Sequence, residues 1–284
     1  MNILPIMLAL GTAVFWAFGQ VITKIALRNL SPTASNLIRF PFLMMAITPI
    51  VLINGIGSVE TWQILLAVIA GALCTCASLQ IYFYCMARTP AHTIVPVANS
   101  SPLWAVLFAL LLLGEEITPT LPLSLALVIG GSLFLVPRKK EPNKWRPAIP
   151  LTMVVAALWG LDQTIKKPVV ESGMLPLTFI WISTISAAVT ISLWAAFKRS
   201  WGGQHFTRTN VGLSLASVTS AQLFGTLLYL YALKMEKVIS LTPFTSAAIP
   251  FGFLLSILIV GERPSKKAIL GMVIIFLGVA IAAI

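Results

Sequence analysis

Trp16-Ala17-Phe18-Gly19-Gln20-Val21-Ile22-Thr23-Lys24 and Trp159-Gly160-Leu161-Asp162-Gln163-Thr164-Ile165-Lys166-Lys167 are the two stretches whose comparison decides the fold. Trp, Gln, Ile and the last Lys coincide at an offset of 143. Further along the offset becomes 147: Tyr82 and Tyr84 match Tyr229 and Tyr231, Pro96 matches Pro243, Gly114-Glu115 matches Gly261-Glu262, and Gly131 matches Gly278. The matches keep their order and their place within corresponding apolar runs. The chain is therefore read as an internal repeat with one small length change between its halves.

Composition says what kind of repeat this is. Of the 284 residues, 58% are apolar and 10% charged, and mean hydropathy is +0.96. Soluble chains carry about a quarter charged residues, so a soluble enzyme and a disordered chain are both excluded. The apolar runs fall at roughly 3–23, 34–53, 62–86, 92–113, 120–136, 148–165, 176–197, 211–233, 238–260 and 266–284. Runs of about 20 apolar residues suit membrane-spanning helices. Barrel strands would be half as long and alternating. Lipid admits no third kind of spanning structure. The expected fold is an all-α membrane protein of ten transmembrane helices, as two inverted five-helix repeats. Residues 1–137 form the first repeat, 138–147 a basic connecting loop, and 148–284 the second. Five is odd, so the two copies point in opposite directions through the bilayer. Inverted repeats are typical of secondary transporters, whose ligand site lies at the repeat interface near the midplane. The first run, from Ile3, lacks a basic leader and is read as a retained span.

The same residues resemble a known family. The features are the Trp-rich first span running into Lys24 and Arg28, Arg39-Phe40 opening the second, and Tyr84 through Pro90. To these are added Ala98-Asn99-Ser100-Ser101-Pro102 with the run into Gly114-Glu115-Glu116, and their counterparts Tyr231-Ala232-Leu233, Pro243 to Pro250 and Gly261-Glu262-Arg263. The chain resembles the drug/metabolite transporter superfamily, in its EamA-type branch, over nearly its whole length. The resemblance implies alternating access, efflux of small polar metabolites such as amino acids, and no shared set of catalytic residues.

Asp162 is the one acid well inside an expected span. An intramembrane carboxylate is costly and so is a candidate for function. It binds a substrate amine, exchanges a proton, or does both, or it is instead tethered to Lys166 one turn on. Trp16, Gln20 and Thr23 share one helix face, and Trp159, Gln163 and Lys166 the equivalent one. Gln20 and Gln163 either read a ligand or bridge helices. Gln80 and Tyr84 share a face of the third span; Gln222, Thr226 and Tyr229 share a face of the eighth. Tyr84 and Tyr231 also fit an interfacial aromatic belt. Asn99 and Ser100 between Pro96 and Pro102, and Thr245 and Ser246 between Pro243 and Pro250, read as kinks beside polar groups, lining a cavity wall or hinge. Glu115 and Glu262 are expected to cap helix junctions.

No metal-ligand spacing accompanies His92 or His205, and the three cysteines read as small buried hydrophobes, so neither metal nor cofactor is expected. No phosphate loop supports an ATP-driven pump. The +11 net charge sits at the ends of apolar runs and not on a nucleic-acid stripe. The expected partners are a small-molecule substrate and the lipid bilayer of a cell membrane, with the protein a monomer or weak homodimer. A channel-like facilitator and a membrane enzyme are the rival readings. Fifteen of the 19 Lys and Arg fall in or beside loops after odd-numbered spans. The positive-inside rule then places those loops in the cytoplasm and both termini outside, whereas the resemblance implies cytoplasmic termini.

Overall fold

The computed structural model describes residues 3–88, 97–134, 147–198, 206–261 and 265–282, and the described residues contain helices and no strands. In chain order the helices are α1 (Ile3–Ala26), α2 (Pro32–Asn54) and α3, which runs Thr61–Ile69, Ala70–Ala77 and Ser78–Arg88. Next come α4 (Ser101–Phe108, then Ala109–Leu113), α5 (Leu121–Phe134), α6 (Ala148–Glu171) and α7 (Pro176–Lys198). Then α8 runs Arg208–Val218, Thr219–Gly225 and Thr226–Leu233, followed by α9 (Val238–Thr245), α10 (Ala248–Leu255, then Ser256–Val260) and α11 (Lys266–Ile281). Among the described residues, seven helical stretches are long and apolar enough to cross a membrane, and α4 and α5 are shorter apolar helices.

Local sequence explains most of the boundaries. Ser31 and Ser265 cap α2 and α11 by accepting from the backbone N–H of Ala34 and Ala268, and Pro32 and Pro176 stand at the first position of α2 and α7, where no N–H is needed. Gly114 and Gly261 close α4 and α10 in the left-handed conformation, with φ of 64° and 76°; both positions came out of the sequence repeat. The kinks expected in the fourth and ninth runs are turns at 99–100 and 246–247, where Pro102 and Pro250 lack the N–H that would continue the ladder. One expectation is corrected. The sixth run was ended at 165, but α6 continues through Pro168 to Glu171, so Asp162 lies in the helix interior and not near its end.

Packing follows the repeat. Helix α5 packs along α11, and α2 along α7. The other large contacts between the halves come in exchanged pairs: α4 with α6 and α10 with α1, α3 with α6 and α8 with α1, α2 with α8 and α7 with α3. The α5–α11 contact depends on glycine. A Cβ on Gly131 would lie 2.7 Å from the carbonyl oxygen of Gly271, and one on Gly278 would lie 2.8 Å from that of Ser124. Small residues let helix backbones approach this closely.

Four widened π-type turns occur at matching places: Ala70–Ala77 with Thr219–Gly225, and Ala109–Leu113 with Ser256–Val260. In the first pair, Ser78 N–H donates to the Leu73 carbonyl and Thr226 N–H to that of Ala221, five residues back. Such turns are rare and gather at functional sites. The first pair lies on α3 and α8 and the second on α4 and α10, all four helices packing on α6 or α1 of the opposite half.

Candidate functional site

Among the described residues two Trp–Tyr pairs join the halves, beside a Phe15–Phe224 contact at 5.5 Å. Trp16 of α1 meets Tyr229 of α8 with ring centroids 5.5 Å apart and planes at 51°. Trp159 of α6 meets Tyr82 of α3 at 5.2 Å and 58°. All four residues are repeat mates, Trp16 of Trp159 and Tyr82 of Tyr229, so one contact is built twice. The polar edges of Tyr229 and Trp159 are held. Tyr229 is fully buried, and its hydroxyl donates to the Gln163 carbonyl at 3.4 Å; Trp159 Nε1 donates to Ser78 Oγ at 3.0 Å. Sequence reasoning named Tyr84 for the site and passed over Tyr82. Tyr84 is exposed. The missed signal was in hand, since Tyr82 is the mate of Tyr229.

Around Trp16 and Tyr229 stand Gln163 and Thr245. Gln163 is buried; its amide nitrogen faces the Trp159 carbonyl at 3.5 Å, and its Oε1 lies 3.5 Å from the Thr245 hydroxyl. Thr245 closes α9 just before the turn at 246–247, and its hydroxyl also lies 3.0 Å from the Thr242 carbonyl. Ser246 is buried and donates to that same carbonyl at 2.8 Å. Asp162 precedes Gln163 and is ion-paired with Lys166. Side-chain exposure is 16% for Asp162 and 5% for Lys166. Asp162 Oδ2 makes the pair, while Oδ1 is buried without a hydrogen bond. Gln20 breaks the symmetry: it is exposed, so the pairing of Gln20 with Gln163 as two buried amides does not hold.

The other candidates lie elsewhere. Gln80 is engaged at both ends, donating to Thr33 Oγ1 at 3.0 Å and accepting from Asn36 Nδ2 at 2.7 Å. It ties α3 to α2 through both ends of its amide. Gln222 lies half-buried in the widened turn of α8. Asn99 is half-buried in the turn before α4, where Ser100 donates to the Val97 carbonyl at 2.7 Å. Pro243 is buried inside α9; Pro96, His92, His205 and Glu262 lie outside the described residues. A surface cleft of about 520 Å³ opens between α1, α2 and α8 among Val14, Phe15, Phe18, Phe42 and Phe224. It holds none of these polar candidates.

Charged side chains tie helices together at their ends, Glu115 across the halves and Lys167 within the second. Glu115, after α4, accepts from the backbone N–H of Val238 at 2.9 Å and of Ile239 at 2.8 Å, which caps α9 and complements its dipole. Lys167 donates to the carbonyls of Leu233 at 2.6 Å and Glu236 at 2.9 Å, closing the end of α8, and pairs with Glu171 at 2.8 Å. Lys166 and Lys167 are thus buried in α6 and are not loop charges. Arg39, also counted as loop-adjacent, lies in the eighth position of α2 and is 3% exposed. Without these three, the tally of basic residues becomes fourteen for the odd loops and two for the even. Among the described residues, no cluster of three His, Cys, Asp or Glu could hold a metal.

The comparisons agree with this architecture. One solved structure, described only as "Crystal structure of protein", superposes at a TM-score of 0.81 over 99% of this chain and 97% of its own, at 15% identity; at that identity the likeness speaks for the fold alone. An "Uncharacterized transporter" of Archaeoglobus fulgidus is 20% identical over 97% of this chain and 96% of its own length. The "Uncharacterized transporter YwfM" of Bacillus subtilis is 25% identical over 49% of this chain. That match spans about half of the Bacillus protein, 48%. A family model, the EamA-like transporter family, matches twice, over residues 3–136 and 146–284. The chain belongs to the EamA-like transporter family: it is a multi-pass integral membrane protein of a transporter family and not an enzyme.

Proposed function

We propose that the protein is a secondary active transporter, working outward across the cell membrane, of small polar metabolites of the amino-acid type. In this reading it has ten spans, as two inverted five-helix repeats joined through 138–147, and acts as a monomer or weak homodimer. Substrate binds between the halves, and rocking of one repeat against the other exposes it to each side in turn. The observation that carries the reading is the doubled Trp–Tyr contact, Trp16 with Tyr229 and Trp159 with Tyr82. A pseudo-symmetric clamp of this kind suits two states that exchange the roles of the halves. Gln163, Thr245 and Ser246 supply polar contacts beside the interrupted helix, Asn99, Ser100 and Gln222 line the same passage, and Pro102, Pro243 and Pro250 set the bends. Asp162 couples a proton: when Oδ1 is protonated, its grip on Lys166 loosens.

Reconstituted proteoliposomes test this. Flux of amino acids that saturates, shows counterflow and responds to a pH gradient supports the transporter; linear flux without counterflow supports a channel-like facilitator. Orientation follows the charge tally, which places the odd loops in the cytoplasm. With single cysteines at Asn143 and Gly57 in a background without native thiols, an impermeant maleimide on intact cells should label Gly57→Cys and spare Asn143→Cys. The reverse pattern overturns the assignment.

A further inference from the structure

Among the described residues three cations are buried inside helices, and they are not alike. Lys166 has Asp162, and Lys167 has Glu171 and two carbonyl oxygens. Arg39 has no acid among the described residues. Its only hydrogen bond there is from Nη1 to Asn36 Oδ1, long at 3.4 Å, and its Nε is buried with no partner at all. The Phe40 ring centre stands 5.9 Å from the guanidinium carbon. A guanidinium carries five N–H donors in a planar fork, and an uncompensated charge buried this deeply is costly. Arg39 stands seven residues past Pro32, about 10 Å along α2 from its start.

The surroundings are built to hold that group and not to neutralise it. Asn36 Nδ2 is committed to Gln80 Oε1, and Gln80 Nε2 to Thr33 Oγ1. The chain of amides is therefore ordered, with the Asn36 carbonyl turned to the arginine. Nearby, Ser35 meets Ser214 at 3.4 Å and Thr23 meets Ser217 at 2.7 Å, so hydroxyl groups join α1, α2 and α8 at this level. None of this recurs in the other half. With α2 and α7 aligned on Pro32 and Pro176, Asn36 and Arg39 fall opposite Ile180 and Ser183; at the 147 offset Gln80 falls opposite Leu227. A purely architectural cluster in so regular a repeat would have a counterpart.

We propose that Arg39, positioned by Asn36 and Gln80, is the subsite for the carboxylate of the transported solute, so that the missing counter-ion is the substrate itself. A planar guanidinium matches a carboxylate in two parallel hydrogen bonds. The solute is then a carboxylate-bearing molecule and not a cation or a neutral sugar. The claim about the solute rests on the transporter reading above; the claim about the anion site does not.

Two measurements keep those apart. In the first, thermal unfolding of the purified protein in nanodiscs is followed against acetate, with acetamide as the neutral isostere in the same salt background. The midpoint should rise by about 2–4 °C as acetate passes several times its Kd, and not rise with acetamide. Arg39→Gln should abolish the acetate response while melting no lower than wild type in acetate-free buffer, since it removes a charge that nothing balances. A wild-type midpoint indifferent to acetate, or a response that survives in Arg39→Gln, overturns the proposal. So does a large loss of stability in Arg39→Gln, which would make Arg39 a structural group. In the second, proteoliposomes are loaded with L-leucine, L-leucinamide and glucose. Selective release of leucine, cut at least tenfold by Arg39→Gln, supports the carboxylate subsite, and release of leucinamide or glucose in its place overturns it as a substrate site. Absence of any release alongside an intact acetate response sinks the transporter reading and leaves the anion site standing.

Discussion

The two halves of the molecule agree in their aromatic shell and differ in their charges. Trp16–Tyr229 and Trp159–Tyr82 are near copies, at 5.5 and 5.2 Å. The ion pair Asp162–Lys166 of α6 has no such copy: the matching residues of α1 are Gly19 and Thr23. Thr23 instead bonds Ser217 at 2.7 Å, a neutral contact where the second half has a charged one. Arg39 of α2 likewise has no charged mate in α7. The shell follows from packing, which the repeat dictates twice. A charge in lipid is too costly to be carried twice for symmetry, so each one is placed where it serves.

The largest expected effect is at Asp162. Asp162→Asn leaves Lys166 buried and unpaired, and breaking a buried pair from one side costs about 3–5 kcal/mol. Thermal unfolding should show that loss, and joint replacement, Asp162→Asn with Lys166→Gln, should recover most of it. The double variant should then transport without responding to a pH gradient. A double variant with the wild-type pH response would reduce the pair to scaffolding.

Next in size are the glycines that let α5 meet α11. Gly131→Val and Gly278→Val each force a Cβ against a backbone carbonyl, an overpacking worth about 1–3 kcal/mol. If the halves are equivalent there, the two variants lower the melting temperature in detergent by similar amounts. A loss confined to one of them would break the symmetry of that contact.

The smallest effect separates two amides that look alike in sequence. Gln80→Ala removes hydrogen bonds to Thr33 and Asn36, about 1 kcal/mol each, and should lower stability. Gln222→Ala should leave stability near wild type and weaken substrate affinity. Equal stability losses for both would make Gln222 a packing residue too.

How far these residues were legible varies with the range of the interaction. The helix caps at Ser31 and Ser265, the closing glycines 114 and 261, and the breaks at Pro102 and Pro250 involve neighbours within a turn. Glu115 was legible as a cap, though not which helix it caps, since its partners lie 123 and 124 residues away. Gln80 and Gln222 were indistinguishable because spacing on a helix says which face a side chain is on and not what faces it. Arg39 was misassigned because a cation near the start of an apolar run looks like an interfacial anchor until the rest of the bundle closes over it.

What the sequence by itself determined is therefore the membrane class, the doubling and those helix ends that a glycine or proline within a turn sets. These follow from transfer of apolar segments into lipid and from local hydrogen bonding, both of which depend on composition and nearest neighbours. Only the tertiary structure decided that Trp16 would meet Tyr229 across the halves, that Gln20 would be exposed while Gln163 is buried, and that Arg39 would be enclosed without an acid. Those outcomes depend on which helices pack together, and packing is a property of surfaces far apart in the chain.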